Sequence, residues 1–123
     1  MIYLDTSVIV NSFFVKESGS KASQRLMEKI RDGTIIAITS EFTLIEIASA
    51  ISRGTKEPIL SKEFVRELRQ YPNLTIIPIS KMLVDKSLDV SSDYGLRAGD
   101  SIHAACAILE NAECLIQRDV DFS

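Results

Sequence analysis

Short apolar runs alternate along this chain with longer segments in which apolar residues recur every three or four positions. The short runs, residues 2–4, 34–38, 74–77 and 114–116, have the length and composition of buried strands. The longer segments have the period of helices that bury one face. They follow Asp5, Ser20, Ser40, Ser61 and Ser80, and a further one fills residues 98–109.

Residue chemistry at the segment boundaries supports this assignment. Serine is a preferred N-cap residue, and it precedes most of the predicted helices. Gly33, Gly54 and Gly95 stand where three of the helices should stop. Because helices and strands alternate, the pattern predicts an α/β fold. We expect a three-layer α/β/α sandwich around a central, mainly parallel sheet, formed by residues 1–123 as a single domain.

Composition narrows the class of protein further. The chain has 123 residues, of which 46% are hydrophobic, so it can build a globular core. No uncharged apolar stretch reaches the about 20 residues of a membrane span, and the N-terminus lacks the basic start of a secretory signal. We therefore expect a cytoplasmic protein in which Cys106 and Cys114 are buried, reduced thiols. The net charge of −3 argues against a passive nucleic-acid coat, but a bound cation would still allow action on phosphates.

Four acidic residues interrupt the apolar pattern at places where a charge is costly without a partner. Asp5 ends the first predicted strand, and Asp119 follows the last one. Glu46 lies between two isoleucines, and Asp100 opens an alanine-rich helix. Each also has an ordinary explanation. Asp5 could cap a helix and Asp100 could complement its dipole, while Glu46 could face solvent beside a basic residue and Asp119 could be a turn residue.

Taken together, the four acids indicate a metal site. The carboxyl ends of parallel strands meet at one edge of a sheet, and a helix packed there can bring Asp100 to the same place. Converging carboxylates repel each other unless cations lie between them. Oxygen ligands suit Mg²⁺ or Mn²⁺ rather than Zn²⁺, and such ions activate water and orient a phosphodiester. The single histidine argues against a metal-free ribonuclease that needs both a base and an acid.

Residues near the predicted site have two interpretations each. His103 lies one turn after Asp100 and is either a proton relay or substrate contact, or a histidine satisfied near the core. Thr6 and Ser7 either hydrogen-bond a metal-bound water or simply start a helix. Three basic residues could bind phosphates or be solvated surface charges: Lys16, Arg97 and Arg118.

Four segments, in this order and separation, resemble the PIN domain family, and in particular the VapC-like toxins of bacterial and archaeal toxin–antitoxin pairs. They are Asp5-Thr6-Ser7, residues 40–46 with Glu46, residues 96–105 with Asp100, and residues 118–122 with Asp119. The resemblance extends over almost the whole chain.

The resemblance implies a metal-dependent endoribonuclease that hydrolyses RNA phosphodiester bonds. By this analogy Asp5 and Asp100 are the main Mg²⁺ ligands, with Mn²⁺ as a substitute, while Glu46 and Asp119 complete the acidic catalytic site. The family also implies a homodimer and a small antitoxin protein, with no membrane partner. Such an antitoxin inserts a segment, often basic, into the acidic groove, where an arginine would find carboxylates to bind.

Two features depart from the family pattern. Gln117 stands where the family has Thr or Ser, which puts the geometry around Asp119 in question. The sequence stops at Ser123, whereas relatives commonly continue with a strand and a short helix. Either this protein lacks that strand, which would leave a sheet edge open to pairing, or the sequence is part of a longer chain.

Three other functions fit parts of the pattern. A catalytically weak or inactive PIN-like binding module would keep the fold; the four acids argue against it, and Gln117 and the short C-terminus argue for it. A receiver-type signalling domain would pair acids after the first strand and place a lysine after the last, yet Asp5 stands alone and Arg118-Asp119 follows the last strand. A haloacid-type phosphatase would need a second aspartate where Ser7 stands.

Overall fold

The computed structural model describes residues 1–118 of the chain. Strands and helices follow one another in the order β1 (Ile2–Leu4), α1 (Thr6–Phe13), α2 (Ser20–Arg31), β2 (Ala37–Ser40), α3 (Glu41–Thr55), α4 (Pro58–Arg69), β3 (Leu74–Ile77), α5 (Lys81–Tyr94), α6 (Ala98–Leu109) and β4 (Cys114–Ile116). Among these helices, none combines the length and the hydropathy needed to cross a membrane.

The four strands form one sheet in the order β3-β2-β1-β4, and every described pairing is parallel. Tyr3 on β1 is in register with Ile38 on β2 and with Leu115 on β4. All four carboxyl ends therefore lie at the same edge, where Asp5 follows β1 and α3 begins directly after β2. The predicted α/β sandwich with a central parallel sheet is confirmed.

The side chains of consecutive strand residues pack into two separate cores, because they alternate between the faces of the sheet. Leu4 and Ala37 face α1 to α4, where they pack with buried residues such as Ile47. Tyr3 and Ile38 face α5 and α6 on the other side. Tyr3 is fully buried, and its hydroxyl group lies inside the protein, so it needs hydrogen-bond partners there.

Several predicted helix ends are confirmed. The Ser40 side chain accepts a hydrogen bond from the Thr43 backbone N–H, and Ser80 accepts one from Leu83. Such caps stabilise a helix by about 1 kcal/mol each. Gly95 ends α5 in the left-handed region, at φ 67°, where a side chain would be strained.

Other boundaries differ from the prediction. β2 begins at Ala37, not at residue 34, because the Asp32 carboxylate accepts hydrogen bonds from the Thr34 backbone and hydroxyl and holds that segment in a turn. Ser61 does not start a helix. α4 begins at Pro58, which suits a first helical position, and the buried Ser61 hydroxyl donates to Ala48 O in α3.

The expected burial of both thiols is wrong in one case. Cys106 is buried on α6, but Cys114 is exposed on β4. β4 pairs with β1 on one side and is the last strand of the described sheet, so its residues have less cover than those of β1.

Candidate active site

Asp5 lies at the carboxyl end of β1, and its side chain does not cap α1. Its backbone is extended, as an N-cap residue requires, but among the described residues its carboxylate accepts no capping N–H from α1. Oδ1 lies 3.1 Å from His103 Nε2, and Oδ2 accepts a weak hydrogen bond from the Ser7 hydroxyl at 3.4 Å. The capping explanation for Asp5 therefore fails, and its carboxylate faces the site.

Glu46 on α3 meets Asp5 at this edge. The Thr6 hydroxyl donates a short hydrogen bond to Glu46 Oε1, and His103 Nε2 lies 2.8 Å from the same oxygen. The explanation in which Glu46 pairs with a basic neighbour in solvent is wrong. Arg53, the basic residue two turns on, donates instead to Ser49 O.

His103 connects the acidic cluster to the interior of the protein. It is 3% exposed, and its Nδ1 lies 2.8 Å from the Tyr3 hydroxyl oxygen. Its Nε2 points the other way, towards Asp5, Glu46 and Thr6. The histidine is thus both buried with its hydrogen bonds satisfied and part of the site. The two interpretations that the sequence left open for His103 do not exclude each other.

Electrostatics favour a charged Glu46. Burial raises the pKa of its carboxyl, but the hydrogen bonds from His103 and Thr6, with the attraction to His103, outweigh burial and lower the pKa below the usual 4.5. Burial also raises the pKa of Tyr3, so its hydroxyl keeps its proton. Near neutral pH the site therefore presents a glutamate anion on one side of the His103 ring and a protonated phenol on the other.

The donor set fits a divalent cation. One ligand atom each from Asp5, Glu46 and His103 lies within 4.8 Å of the other two. Carboxylate oxygens suit hard cations such as Mg²⁺ and Mn²⁺, and an imidazole nitrogen suits later transition metals. These three residues could hold an ion jointly.

Asp100 is not one of the three members of this cluster. It is exposed on the first turn of α6, one turn before His103. The preceding residue, Gly99, closely approaches α3: a Cβ atom there would lie 3.3 Å from Glu46 Oε2 and 3.5 Å from the Phe42 ring. The structure thus places Asp100 at the same end of the sheet as Asp5. Asp119 lies outside the described residues.

Ser7 and Arg118 join the site to the connection between α1 and α2. The Ser7 hydroxyl oxygen accepts a hydrogen bond from Arg118 N at 2.9 Å. The Arg118 guanidinium donates to Ser18 O and lies 3.7 Å from Glu17. Arg118 is therefore engaged in holding this connection, which weakens the idea that it binds phosphate.

Sequence reasoning missed Tyr3 and the hydroxyl groups behind it. The signal was present, since a tyrosine directly precedes Leu4-Asp5 in a buried strand. It could not be separated from ordinary core packing, because tyrosine is common in strands.

Comparison with known proteins identifies the family. A family model of the PIN domain matches residues 2–123. VapC20 of Mycobacterium tuberculosis, a sarcin–ricin loop cleaving toxin, has a similar structure at TM-score 0.81 and 14% identity, over 99% of this chain and 92% of that one. No curated protein sequence matches.

Two further structures are similar. VapBC2 of Rickettsia felis, bound to a DNA fragment from its promoter, matches at TM-score 0.70 and 20% identity, over 98% of this chain and 90% of that one. A toxin–antitoxin complex from Klebsiella pneumoniae matches at TM-score 0.68 and 18% identity, over 100% of this chain and 91% of that one. At these low sequence identities, the structural similarity shows that the proteins share a fold. Because the family model matches nearly the whole chain, this protein belongs to the PIN domain family.

Proposed function

We propose that this protein is a metal-dependent endoribonuclease that hydrolyses RNA phosphodiester bonds, and that it is the toxin of a toxin–antitoxin pair. One observation carries the proposal. Asp5 and Glu46, which lie 41 positions apart in the sequence, converge with the buried His103 at the carboxyl edge of a parallel sheet in a PIN domain. The similarity to VapC20, a toxin that cleaves the sarcin–ricin loop, supports the same chemistry.

Mg²⁺ or Mn²⁺ is the proposed cofactor, with Asp5 and Asp100 as its main ligands. When bound, such an ion would lower the pKa of a water molecule and stabilise the departing oxygen of the phosphodiester. Glu46 supplies a fixed negative charge, because Thr6 and His103 hold its carboxylate in one orientation. Asp119 completes the proposed acidic set.

A small antitoxin is the proposed partner. Two exposed apolar side chains line one surface cavity next to α3: Ile45, which directly precedes Glu46 in the sequence, is 61% exposed, and Ile79 is 44% exposed. A segment that inserts a basic side chain among the carboxylates could rest its apolar residues on this surface. Met82 and Leu88 on α5, at 68% and 61% exposure, are candidates for a homodimer contact.

An RNA-cleavage assay tests the proposal. The wild type should cut RNA with Mg²⁺ or Mn²⁺, and chelator should abolish cleavage. Asp5→Asn should lower the rate at least about 100-fold, because even outer-shell partners of a metal are worth 10–100-fold. Asp93→Asn, on the exposed face of α5, is the matched control and should cut like the wild type.

Two results would contradict the proposal. If Asp5→Asn and Asp100→Asn both cleave as fast as the wild type, the activity belongs to another site or to a contaminant. A site saturated with Mn²⁺ at 100 times its dissociation constant should gain about 2.7 kcal/mol in the free energy of unfolding. If added Mn²⁺ does not stabilise the wild type, or stabilises Asp5→Asn equally, the acids do not form a metal site.

A further inference from the structure

We propose that the connection between α5 and α6 binds single-stranded RNA beside the active site, with Tyr94 stacking on a base and Arg97 binding a phosphate. This inference deepens the proposed function and rests on it, because the ligand is taken to be the proposed substrate. It follows from the exposure of these side chains, from the hydrogen bonds that fix the connection, and from its position just before Asp100.

The exposed side chains of the connection have the chemistry that binds unpaired nucleotides. Tyr94 is 75% exposed, whereas Tyr3 and Tyr71 are packed into the protein with their hydroxyl groups hydrogen-bonded. Leu96, in the same connection, is 39% exposed. Unstacked RNA bases bind to aromatic rings and to the planar guanidinium group of arginine, which any of the four bases can do. The connection therefore offers a stacking surface for RNA.

Arg97 supplies the positive charge that a phosphate needs. It is exposed, and its side chain takes part in none of the ion pairs of residues 1–118. Arg118, in contrast, is held by Ser18 O and lies near Glu17. A chain with a net charge of −3 repels RNA as a whole, so a positive charge close to the acidic site is needed to guide the strand there.

Hydrogen bonds hold the backbone of the connection in one conformation. Leu96 O accepts hydrogen bonds from the Ser91 hydroxyl at 3.0 Å and from the Ser101 hydroxyl at 3.3 Å, so it is tied to both helices. The Gly95 N–H donates to Ser91 O at 2.8 Å where α5 ends. A surface that is already ordered loses less conformational entropy when it binds a ligand. The connection thus presents its exposed side chains from a fixed backbone.

The connection leads directly into the acidic site. Arg97 is the N-cap residue of α6, and Asp100 lies in the first turn of that helix. In the same turn, Gly99 closely approaches Glu46 Oε2. Three residues span at most about 11 Å, so Tyr94 lies no farther than that from Arg97 along the backbone. Since a stacked strand advances about 3.4 Å per nucleotide, both side chains can contact nucleotides close to the bond that is cut.

Anisotropy of a fluorescein-labelled, single-stranded RNA oligonucleotide tests the role of Tyr94. All proteins in this assay also have Asp5→Asn, so that the probe is not cut. Tyr94→Ala should weaken binding about 5–150-fold, as expected for the loss of one stacking side chain. Tyr94→Phe keeps the ring and should bind within about twofold of the parent. Among probes that each lack one base, one should bind the parent more weakly but Tyr94→Ala equally well.

The salt dependence of binding tests Arg97 in the same assay. Each phosphate contact to a single strand contributes about 0.7 to the slope of log K against log salt concentration. Arg97→Gln should therefore lower this slope by about 0.7. Arg53→Gln removes the same charge from the last turn of α3 and is the matched control, which should leave the slope unchanged.

The possible outcomes separate this inference from the proposed function. Equal RNA binding by Tyr94→Ala and Tyr94→Phe would overturn the inference and leave the proposed function standing. Loss of self-association in Tyr94→Ala, measured by light scattering, with RNA binding unchanged, would also overturn it, because Tyr94 would then be a contact between copies of the chain. Binding that depends on Tyr94 and Arg97 in a protein whose wild type cuts no RNA would support this surface and contradict the nuclease.

Discussion

Replacing Tyr3 with phenylalanine removes a single oxygen atom from the centre of the molecule. Tyr3 is 0% exposed, and its hydroxyl lies 2.8 Å from His103 Nδ1 and 3.2 Å from Ser40 Oγ. Ser40 retains its contacts with Thr43, at 3.3 Å each, so it is not left without partners. His103 Nδ1 loses the one partner that the structure describes for it.

The expected cost follows from that unpaired group. A buried polar group left without a partner costs about 1–3 kcal/mol, and the extra apolar character of phenylalanine offsets only part of it. We therefore expect Tyr3→Phe to lower the free energy of unfolding by about 1–3 kcal/mol, or roughly 4 °C in Tm for each kcal/mol.

Urea unfolding of metal-free protein, followed by circular dichroism, measures this quantity against two matched controls. Tyr94 is 75% exposed, so Tyr94→Phe should change the stability by less than about 0.5 kcal/mol. Tyr71 donates to Met27 O at 2.7 Å at a partly buried position outside the site, so Tyr71→Phe should cost about 1 kcal/mol. If Tyr3→Phe is as stable as Tyr94→Phe, the hydroxyl does not hold His103 in the way described.

Three further predictions concern the core, the thiols and the pH dependence. Ile47→Ala, at a fully buried position, should cost about 2–5 kcal/mol in urea unfolding, and Ile45→Ala, 61% exposed on the same helix, far less; equal losses would refute the assigned face. Near about pH 8, a thiol reagent should label the exposed Cys114 only, as mass spectrometry would show, because burial raises the pKa of Cys106 to about 11; two labels on native protein would contradict this. Folding lowers the pKa of Glu46, so its carboxylate adds to the free energy of unfolding above pH 4.5. This contribution is lost as the pH falls through the lower pKa that Glu46 has in the folded state. In metal-free protein the wild type should lose more stability than Glu46→Gln over that acid range, and parallel curves would speak against it.

Local chemistry determined most of the fold. Ser40, Ser80 and Gly95 act on backbone groups within a few residues, so the helix ends that they set could be predicted from the sequence alone. The start of β2 could not. Residues 34–38 have a strand-like composition, but a side-chain turn between Asp32 and Thr34 competes with the strand, and only the packed structure decides between them.

The acidic part of the site was visible in the sequence, because a charge inside an apolar run needs a reason. Asp5 and Glu46 could therefore be predicted as candidates from the pattern alone. The role of His103 could not, since its partners lie 57 residues away at Glu46 and 100 residues away at Tyr3. Whether a buried ring nitrogen meets a phenol, a carboxylate or neither depends on how three elements pack, and hydrogen bonds over such separations exist only once the tertiary structure has formed.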